Sequence, residues 1–561
     1  MSRISELPRR SWRDGADEAA VALTELLRQP GATAALRPIQ AIGLAEAAHC
    51  GGLAAIARVG AGKTLLAALA MDALGAKRPL LLVPGGLKGK TERELAAYRR
   101  EWRIPTFYRL LGYEDVSRMP MQGTSLQDLF GGLGPDALIC DEFHRLRRVR
   151  DSAVARQVAH WKAQHPECPM VALSGTPDRE GVADYAHVLA WCLGDGSPLP
   201  LDPDEIQDWA AVIDRGEMER ARAVCLQLGI APEADLSTIR AAYRRRLRET
   251  PGVIVSDDEF GGPLTVRDVV LAPPPELDEH FRVLRKLYQR PDGWDLSPDP
   301  PEEGQEVDRV QTASVWSVAR EMALGFCYVP DPIPPRPWRD ARRAYFAEVR
   351  HHLQRSDATY YTERQVRDAM EVGELDATAL REWQAIEPTF EYQSKPLWLS
   401  DHAIEYCQEW GRGGPGVIWT EHRAFALRLA EVTGWSYFGE QGFDSSGRYI
   451  EDASPREVAI VSRRANSTGR NLQYLWSRCL FTGLPNTALD LTQAIGRLHR
   501  DGQRHPVHVD VLLGCYEHWD STQKVVAHAA RTCESLMPQS VVSSAWVHVN
   551  HLPEGSAFAP K

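Results

Sequence analysis

No stretch of about 18 apolar residues occurs in this 561-residue chain, since Arg58 and Lys63 interrupt its most apolar segment, so no ordinary membrane-spanning helix is expected. The segment Met1 to Arg13 is polar and basic and lacks the apolar centre of a secretory leader. The ten cysteines stand singly, without a Cys-x-x-Cys pair, which argues against a zinc ribbon and a disulfide scaffold and suits a reducing, cytoplasmic location. No internal repeat is evident. Positive charge is in deficit: 65 Lys and Arg stand against 76 Asp and Glu, a net charge of −11. That deficit does not exclude a polyanionic partner, because binding one needs basic character only along the surface that touches it. Local basic runs exist at Arg145, Arg147, Arg148 and Arg150, at Arg244, Arg245, Arg246 and Arg248, and at Arg339, Arg342 and Arg343. Each, taken alone, reads as a solvated helix face ahead of a phosphate contact.

What is present describes a globular protein, with 43% hydrophobic and 25% charged residues. The chain is too long for one core and predicts about three or four domains. Between Leu53 and Ala190, short apolar strands (Leu53–Ile56, Leu80–Val83, Ala137–Cys140, Met170–Leu173) alternate with helices, as in a parallel α/β sheet. A second such block has strands at Gly416–Trp419, Val458–Val461, Arg478–Phe481 and Val507–Leu513. Between them, proline-rich turns separate charged helical stretches. The expected organisation is a helical lead-in over 1–35, an α/β lobe over 36–195, a largely helical insertion or brace over 196–396 that could hold protein partners, a second lobe over 397–520, and a closing helix and tail over 521–561.

The stretch Ala57-Arg58-Val59-Gly60-Ala61-Gly62-Lys63-Thr64 lies between an apolar strand and a helix. A small-residue loop in that position lets backbone N–H groups wrap phosphate oxygens, with Gly60, Ala61 and Gly62 permitting close approach. Lys63 would reach the β- and γ-phosphates and the Thr64 hydroxyl would hold Mg²⁺. Ala57 stands where the full pattern has glycine. The strand Ala137–Cys140 runs into Asp141-Glu142-Phe143-His144, delivering two carboxylates to the edge of the sheet where ligands bind. Asp141 fits a magnesium ligand, and Glu142 fits the group that polarises attacking water. Ser174-Gly175-Thr176-Pro177 follows the next strand as a hydroxyl-rich turn. In the second block, Arg497 and Arg500 lie three apart on one helical face, and a planar permanent cation suits charge developing on a transferring phosphoryl group.

These segments together resemble the superfamily-2 helicases and translocases, which have two RecA-like lobes. Asp141-Glu142-Phe143-His144 matches the DEAH-type motif and Ser174-Gly175-Thr176 the third motif. The run Gln493-Ala494-Ile495-Gly496-Arg497-Leu498-His499-Arg500-Asp501-Gly502-Gln503 is similar to the sixth motif of the Swi/Snf-type branch. The resemblance implies that Arg497 and Arg500 are arginine fingers. It also implies that Gln40, in Leu36-Arg37-Pro38-Ile39-Gln40, reads adenine with Arg37 beside it, and that Ser174, Gly175, Thr176 and Gln493 couple hydrolysis to lobe movement. Nucleic-acid contacts are implied at Pro84, at Gly112 and Tyr113, and at Thr468, Gly469 and Asn471 of Ser467-Thr468-Gly469-Arg470-Asn471. Arg470 departs from that fifth motif. The implied activity is ATP- and Mg²⁺-dependent movement on nucleic acid, with duplex DNA favoured as the track; a strand-separating DNA or RNA helicase and a non-hydrolysing nucleotide switch are the alternatives. Trp316, Trp338, Trp383 and Trp398 of the middle segment suit packing ahead of base stacking.

Overall fold

The computed structural model describes residues 2–57, 60–119, 126–147, 149, 152–175, 181–256, 262–294, 296, 309–354, 363–467, 469–485, 487–535, 546–547 and 552–559. Its strands are β1 (Gly52–Ile56), β2 (Pro79–Val83), β3 (Arg109–Gly112), β4 (Ala137–Asp141), β5 (Met170–Ser174), β6 (Val253–Val255), β7 (Leu264–Val270), β8 (Phe326–Asp331), β9 (Gln393–Trp398), β10 (Gly416–Thr420), β11 (Tyr437–Phe438), β12 (Val458–Ser462), β13 (Arg478–Phe481), β14 (Val507–Leu513) and β15 (Trp546–Val547). Two sheets form the body, ordered β3-β2-β4-β5-β1-β6 and β11-β12-β10-β13-β14-β7-β15. Neighbours in both pair in parallel, as two RecA-like lobes require.

Each strand of a parallel sheet is covered on both faces, so it reads as an unbroken apolar run whose alternate residues serve two cores. In the first lobe Ala54, Ile56, Leu80, Leu82, Leu138 and Cys140 enter one core. Leu53, Ala55, Leu81, Val83, Ala137 and Ile139 enter the other. In the second lobe Val417 and Trp419 face one core and Ile418 the opposite one.

The segment 196–396 divides its contacts among both lobes and a third core. Helices Pro203–Ile213, Ala221–Leu228 and Leu236–Glu249 bury Trp209, Val224 and Tyr243 against the first lobe. β6 then extends that lobe's sheet beside β1, while β7 joins the second sheet beside β14. β8 and β9 form an antiparallel ribbon, and the helices between them close a small core around Trp338, Tyr345 and Trp383. Trp338 and Trp383 are therefore packing residues, and Trp316 lies under the Lys524 ammonium. Of the basic runs, Arg246 is 2% exposed and donates to the carbonyls of Ile4 and Leu7, a structural use. Among the described residues no helix is long and apolar enough to cross a membrane.

Candidate active site

The phosphate-type loop leaves β1 and ends where Lys63 opens the helix Lys63–Ala73. Gly60 and Gly62 have φ of +93° and +78°, a left-handed backbone in which a side chain is strained. Ala61 is buried, Thr64 is the second residue of the helix, and Lys63 Nζ donates to the Ala57 carbonyl at 3.0 Å. Arg58 and Val59 lie outside the described residues. Beside the loop, Arg37 caps the helix Pro38–Cys50. Its Nη1 donates to the Gly60 carbonyl at 2.8 Å, and Gln40 Nε2 donates to the Gly62 carbonyl at 3.1 Å. Gln40 Oε1 accepts the Arg37 N–H at 2.9 Å, so the amide expected to read adenine is spent at both ends on the protein itself.

The acid pair stands at the carboxyl edge of the first sheet. Asp141 ends β4, and Glu142 follows with φ +57°, an unusual conformation for a non-glycine residue that costs about 1–3 kcal/mol. That turn brings Glu142 Oε2 to 3.4 Å from His144 Nδ1, which is 3.2 Å from Ser174 Oγ; the Ser174 hydroxyl also donates to Glu142 at 3.4 Å. The expected third-motif serine thus touches the acid pair directly, and Gly175 is buried beyond it; Thr176 lies outside the described residues. Desolvation and the charge of Glu142 push the Asp141 carboxyl up to about 7, against the opposing pull of Lys63. Burial pushes Glu142 the same way but is outweighed by Lys63, by His144 and by Arg497, which hold it down at about 2. One buried carboxyl raised by its neighbour is a donor set that a divalent cation would relieve.

Arg497 and Arg500 face this edge from the second lobe, after the helix Ala488–Ile495. Arg497 is 5% exposed and Nε donates to the Gln493 carbonyl at 2.9 Å; burial and the charge of Arg500 draw its guanidinium down to about 10. Arg500 Nη1 donates to Asn471 Oδ1 at 2.9 Å, while its buried Nε has no hydrogen-bond partner among the described residues. A Cβ placed on Gly60 would sit 3.6 Å from that Nε, so the orphaned donor abuts the phosphate-type loop across the cleft. A buried unmet donor of a cation beside such a loop fits a phosphate oxygen. Two further contacts close the cleft: Arg37 Nη2 pairs with Asp501 Oδ2 at 2.6 Å, and Lys90 Nζ donates to the Gly469 carbonyl, against which Leu87 also packs.

The expected polymer contacts are placed differently. Tyr113 is 3% exposed and donates its hydroxyl to the Asp141 carbonyl at 2.7 Å, so its side chain braces the acid strand from inside and is not a surface contact. Pro84 and Gly112 are buried at adjacent strand ends, where Val83 pairs with Gly112. Gly469 and Asn471 belong to the cleft, and Thr468 lies outside the described residues. Arg470 turns inward to Asn466 Oδ1 at 3.1 Å and to the Tyr449 ring, which accounts for the departure at that position as a local brace.

Basic character collects instead in an interlobe cavity of about 420 Å³, where Arg145 and Arg147 of the first lobe meet Arg463 and Arg464 of the second, with Glu421 and Gln493 at its wall. Arg463 pairs with Glu421 at 3.2 Å, and Glu421 also receives Arg320 at 3.0 Å. Arg148 and Arg150 lie outside the described residues. Arg463 and Arg464, not among the expected site residues, follow the apolar strand β12 as Asp141 and Glu142 complete and follow β4.

No family model and no curated protein matches the chain. Among solved structures it is similar to the helicase domain of Hef from Pyrococcus furiosus, at 14% identity over 85% of this chain and 95% of that one, with a TM-score of 0.36.

Proposed function

We propose that this chain is an ATP-driven nucleic-acid motor, and specifically a DNA-dependent ATPase that translocates on duplex DNA. The observation that carries the proposal is the convergence at one cleft of the Lys63 loop and the Asp141–Glu142 pair from one lobe with Arg497 and Arg500 from the other. Lys63 and the loop amides would bind the phosphates of ATP. Thr64 and Asp141 would hold Mg²⁺, which when bound neutralises phosphate charge. Glu142, held ionised, orients and deprotonates the attacking water, and His144 and Ser174 hold its carboxylate in place. Arg500, with its unmet Nε, meets the charge that develops on the transferring group.

A ligand that both lobes grip favours the closed cleft, and loss of the γ-phosphate removes that preference. The arginine-lined cavity shares its walls with His144 and Gln493, so polymer phosphates bound there would feel each closure. Duplex DNA is the preferred track on the Swi/Snf-type resemblance of the sixth motif. ATP turnover measured with no polymer, duplex DNA, single-stranded DNA and RNA tests the proposal. Stimulation by duplex DNA supports it, stimulation confined to single strands or RNA replaces it with a strand-separating helicase, and no turnover under any condition removes the motor.

A further inference from the structure

Another interlobe cavity, of about 490 Å³, has walls distinct from those of the arginine-lined one. The helix Lys88–Tyr98 of the first lobe brings Lys90 and Arg93 to it, and the second lobe brings Phe443, Tyr449, Asp452 and Asn471. Its size falls within the range of small-ligand pockets, about 300–1,000 Å³. Phe443 is 46% exposed, yet the turn that carries it is tightly held. Its carbonyl accepts the Gly439 N–H at 3.1 Å, and the Asp444 N–H donates across the turn to the Arg448 carbonyl at 3.0 Å. Asp444 Oδ1 accepts the Ser446 and Arg448 N–H groups, each at 2.9 Å. The Phe443 ring lies 5.2 Å from the Tyr449 ring, which the Arg470 guanidinium backs at 5.0 Å. A ring fixed in this way loses little freedom when a flat group stacks on it. Trp338 and Trp383 are spent on a core, whereas Phe443 is open to a cavity.

The charges around the cavity say where the rest of such a ligand lies. Lys90 is committed, donating to the Gly469 carbonyl and standing 3.5 Å from Glu94. Glu451 is committed too, its Oε1 accepting the Asn471 N–H at 2.7 Å. Arg93 is exposed and makes no hydrogen bond or ion pair among the described residues, which leaves it for an anion. Asp452 presents an exposed carboxylate, an acceptor for the amino edge of a base. A flat π face, an amino edge and a nearby phosphate describe one nucleotide. An intact duplex cannot offer them, because each base face is covered by its neighbours in the stack.

Resting on the nucleic-acid reading above, we infer that this cavity is a subsite for a single unpaired nucleotide of the polymer, its base stacked on Phe443 and its phosphate held by Arg93. A bulge, a gap edge or a strand end supplies such a nucleotide at less cost than extrusion from an intact duplex. Asn471 lines the same cavity and accepts Arg500 Nη1 at 2.9 Å, so the occupant lies one side chain away from Arg500.

The test is fluorescence anisotropy of the full chain at one low salt concentration, with three duplexes that share a sequence. One is fully paired, one carries a bulged deoxyadenosine, and one carries a bulged abasic residue, which keeps the phosphate and lacks the base. The parent should bind the bulged deoxyadenosine about tenfold tighter than the abasic bulge, the size of one base–aromatic stack. Phe443→Ala should erase that difference and leave affinity for the fully paired duplex unchanged, while Phe443→Trp should keep it. Arg93→Gln should weaken the bulged-deoxyadenosine complex and leave the fully paired one unchanged. Equal binding of the two bulges by the parent overturns the inference, as does a preference that survives Phe443→Ala. Free dAMP added in equimolar amount should not displace the bulged duplex; displacement would make the cavity a mononucleotide site and overturn the polymer assignment. Failure to bind any of the duplexes would overturn the duplex-motor reading itself, an outcome separate from a bulge bound without regard to its base.

Discussion

Arg37 of the first lobe and Asp501 of the second form an ion pair 2.6 Å long, and Asp501 directly follows Arg500 in the chain. The pair ties the loop-capping residue of one lobe to the neighbour of the other lobe's arginine. With side chains 38% and 52% exposed it is a screened surface interaction, worth about 0.5 kcal/mol. Asp501→Asn should therefore raise KM for ATP roughly twofold and leave kcat unchanged, because the pair helps close the cleft without touching the reacting atoms. The difference should fade between about 0.01 M and about 1 M salt, where the Debye length shrinks from about 30 to about 3 Å. A twofold effect that persists at high salt would assign Asp501 another role.

Arg497 and Arg500 should differ in what their loss costs. Arg500 bonds to Asn471 and carries an unmet buried Nε, whereas Arg497 is packed against the Gln493 carbonyl at 5% exposure. Arg500→Ala is expected to lower polymer-stimulated turnover by about 10³-fold with little change in Tm. Arg497→Ala should lower both turnover and Tm, since it also removes a buried side chain and its hydrogen bond to the Gln493 carbonyl. Paired ATPase and melting measurements check this, and full turnover in Arg500→Ala would remove it as the finger.

The Asp141 carboxyl, raised to about 7 from its ordinary 3.8, ties stability to pH in a definite direction. Above about pH 4 the unfolded chain gives up this proton while the folded chain keeps it until about pH 7, so stability falls as pH rises through that window. Asp141→Asn keeps the neutral state at every pH. Its Tm should exceed that of the parent by a margin that widens from about pH 4 to about pH 7 and then holds constant, while activity is lost. Glu142 works in the opposite sense: its contribution is present above 4.5 and is lost as pH falls toward about 2, below the range of the comparison. A margin that does not vary with pH would contradict the account.

Tyr113 shows where the sequence was legible and where it was not. The strands β1, β2, β4, β5, β10 and β12 are apolar runs ended by turn or polar residues, and β13 and β14 keep an apolar stretch beside Arg478, His508 and Asp510, so pattern located them. The residues at their ends, Lys63, Asp141, Glu142 and Ser174, follow from that placement, because parallel sheets deliver strand-end residues to one edge. Gly112-Tyr113-Glu114 gave no sign of which way the ring faces, and only packing turns it under β4. β6 has three residues after a Pro-Gly turn, and β7 is interrupted by Arg267 and Asp268, so neither carries a sufficient run, although each completes a different lobe. The charge on Arg267 is met by Asp510, a partner distant in the chain.

The brace role makes its own prediction. Tyr113→Phe removes the hydroxyl that donates to the Asp141 carbonyl at 2.7 Å and should cost about 1 kcal/mol of stability. Affinity for polymer should not change. A weaker Kd for DNA at unchanged stability would restore Tyr113 as a contact.

The arginine-lined cavity gives the polymer proposal a quantitative signature. Arg145 and Arg464 are exposed at the cavity, one on each lobe, so either can be neutralised with little effect on the core. A phosphate contact releases a condensed counterion, and log Kd against log salt has a slope of about 0.9 per contact on duplex DNA and about 0.7 on a single strand. Arg464→Gln should therefore weaken binding and lower that slope by about 0.9 on duplex DNA, with no change in turnover measured without polymer. Arg145→Gln should do the same from the other lobe, and the double variant should lower the slope by about twice as much if both side chains hold phosphates at once. Because the two residues stand on opposite lobes, their combined effect should be larger in the closed, nucleotide-bound state than in the open one. A slope unchanged in both variants would leave the cavity as a solvated gap between lobes and move the track elsewhere on the protein.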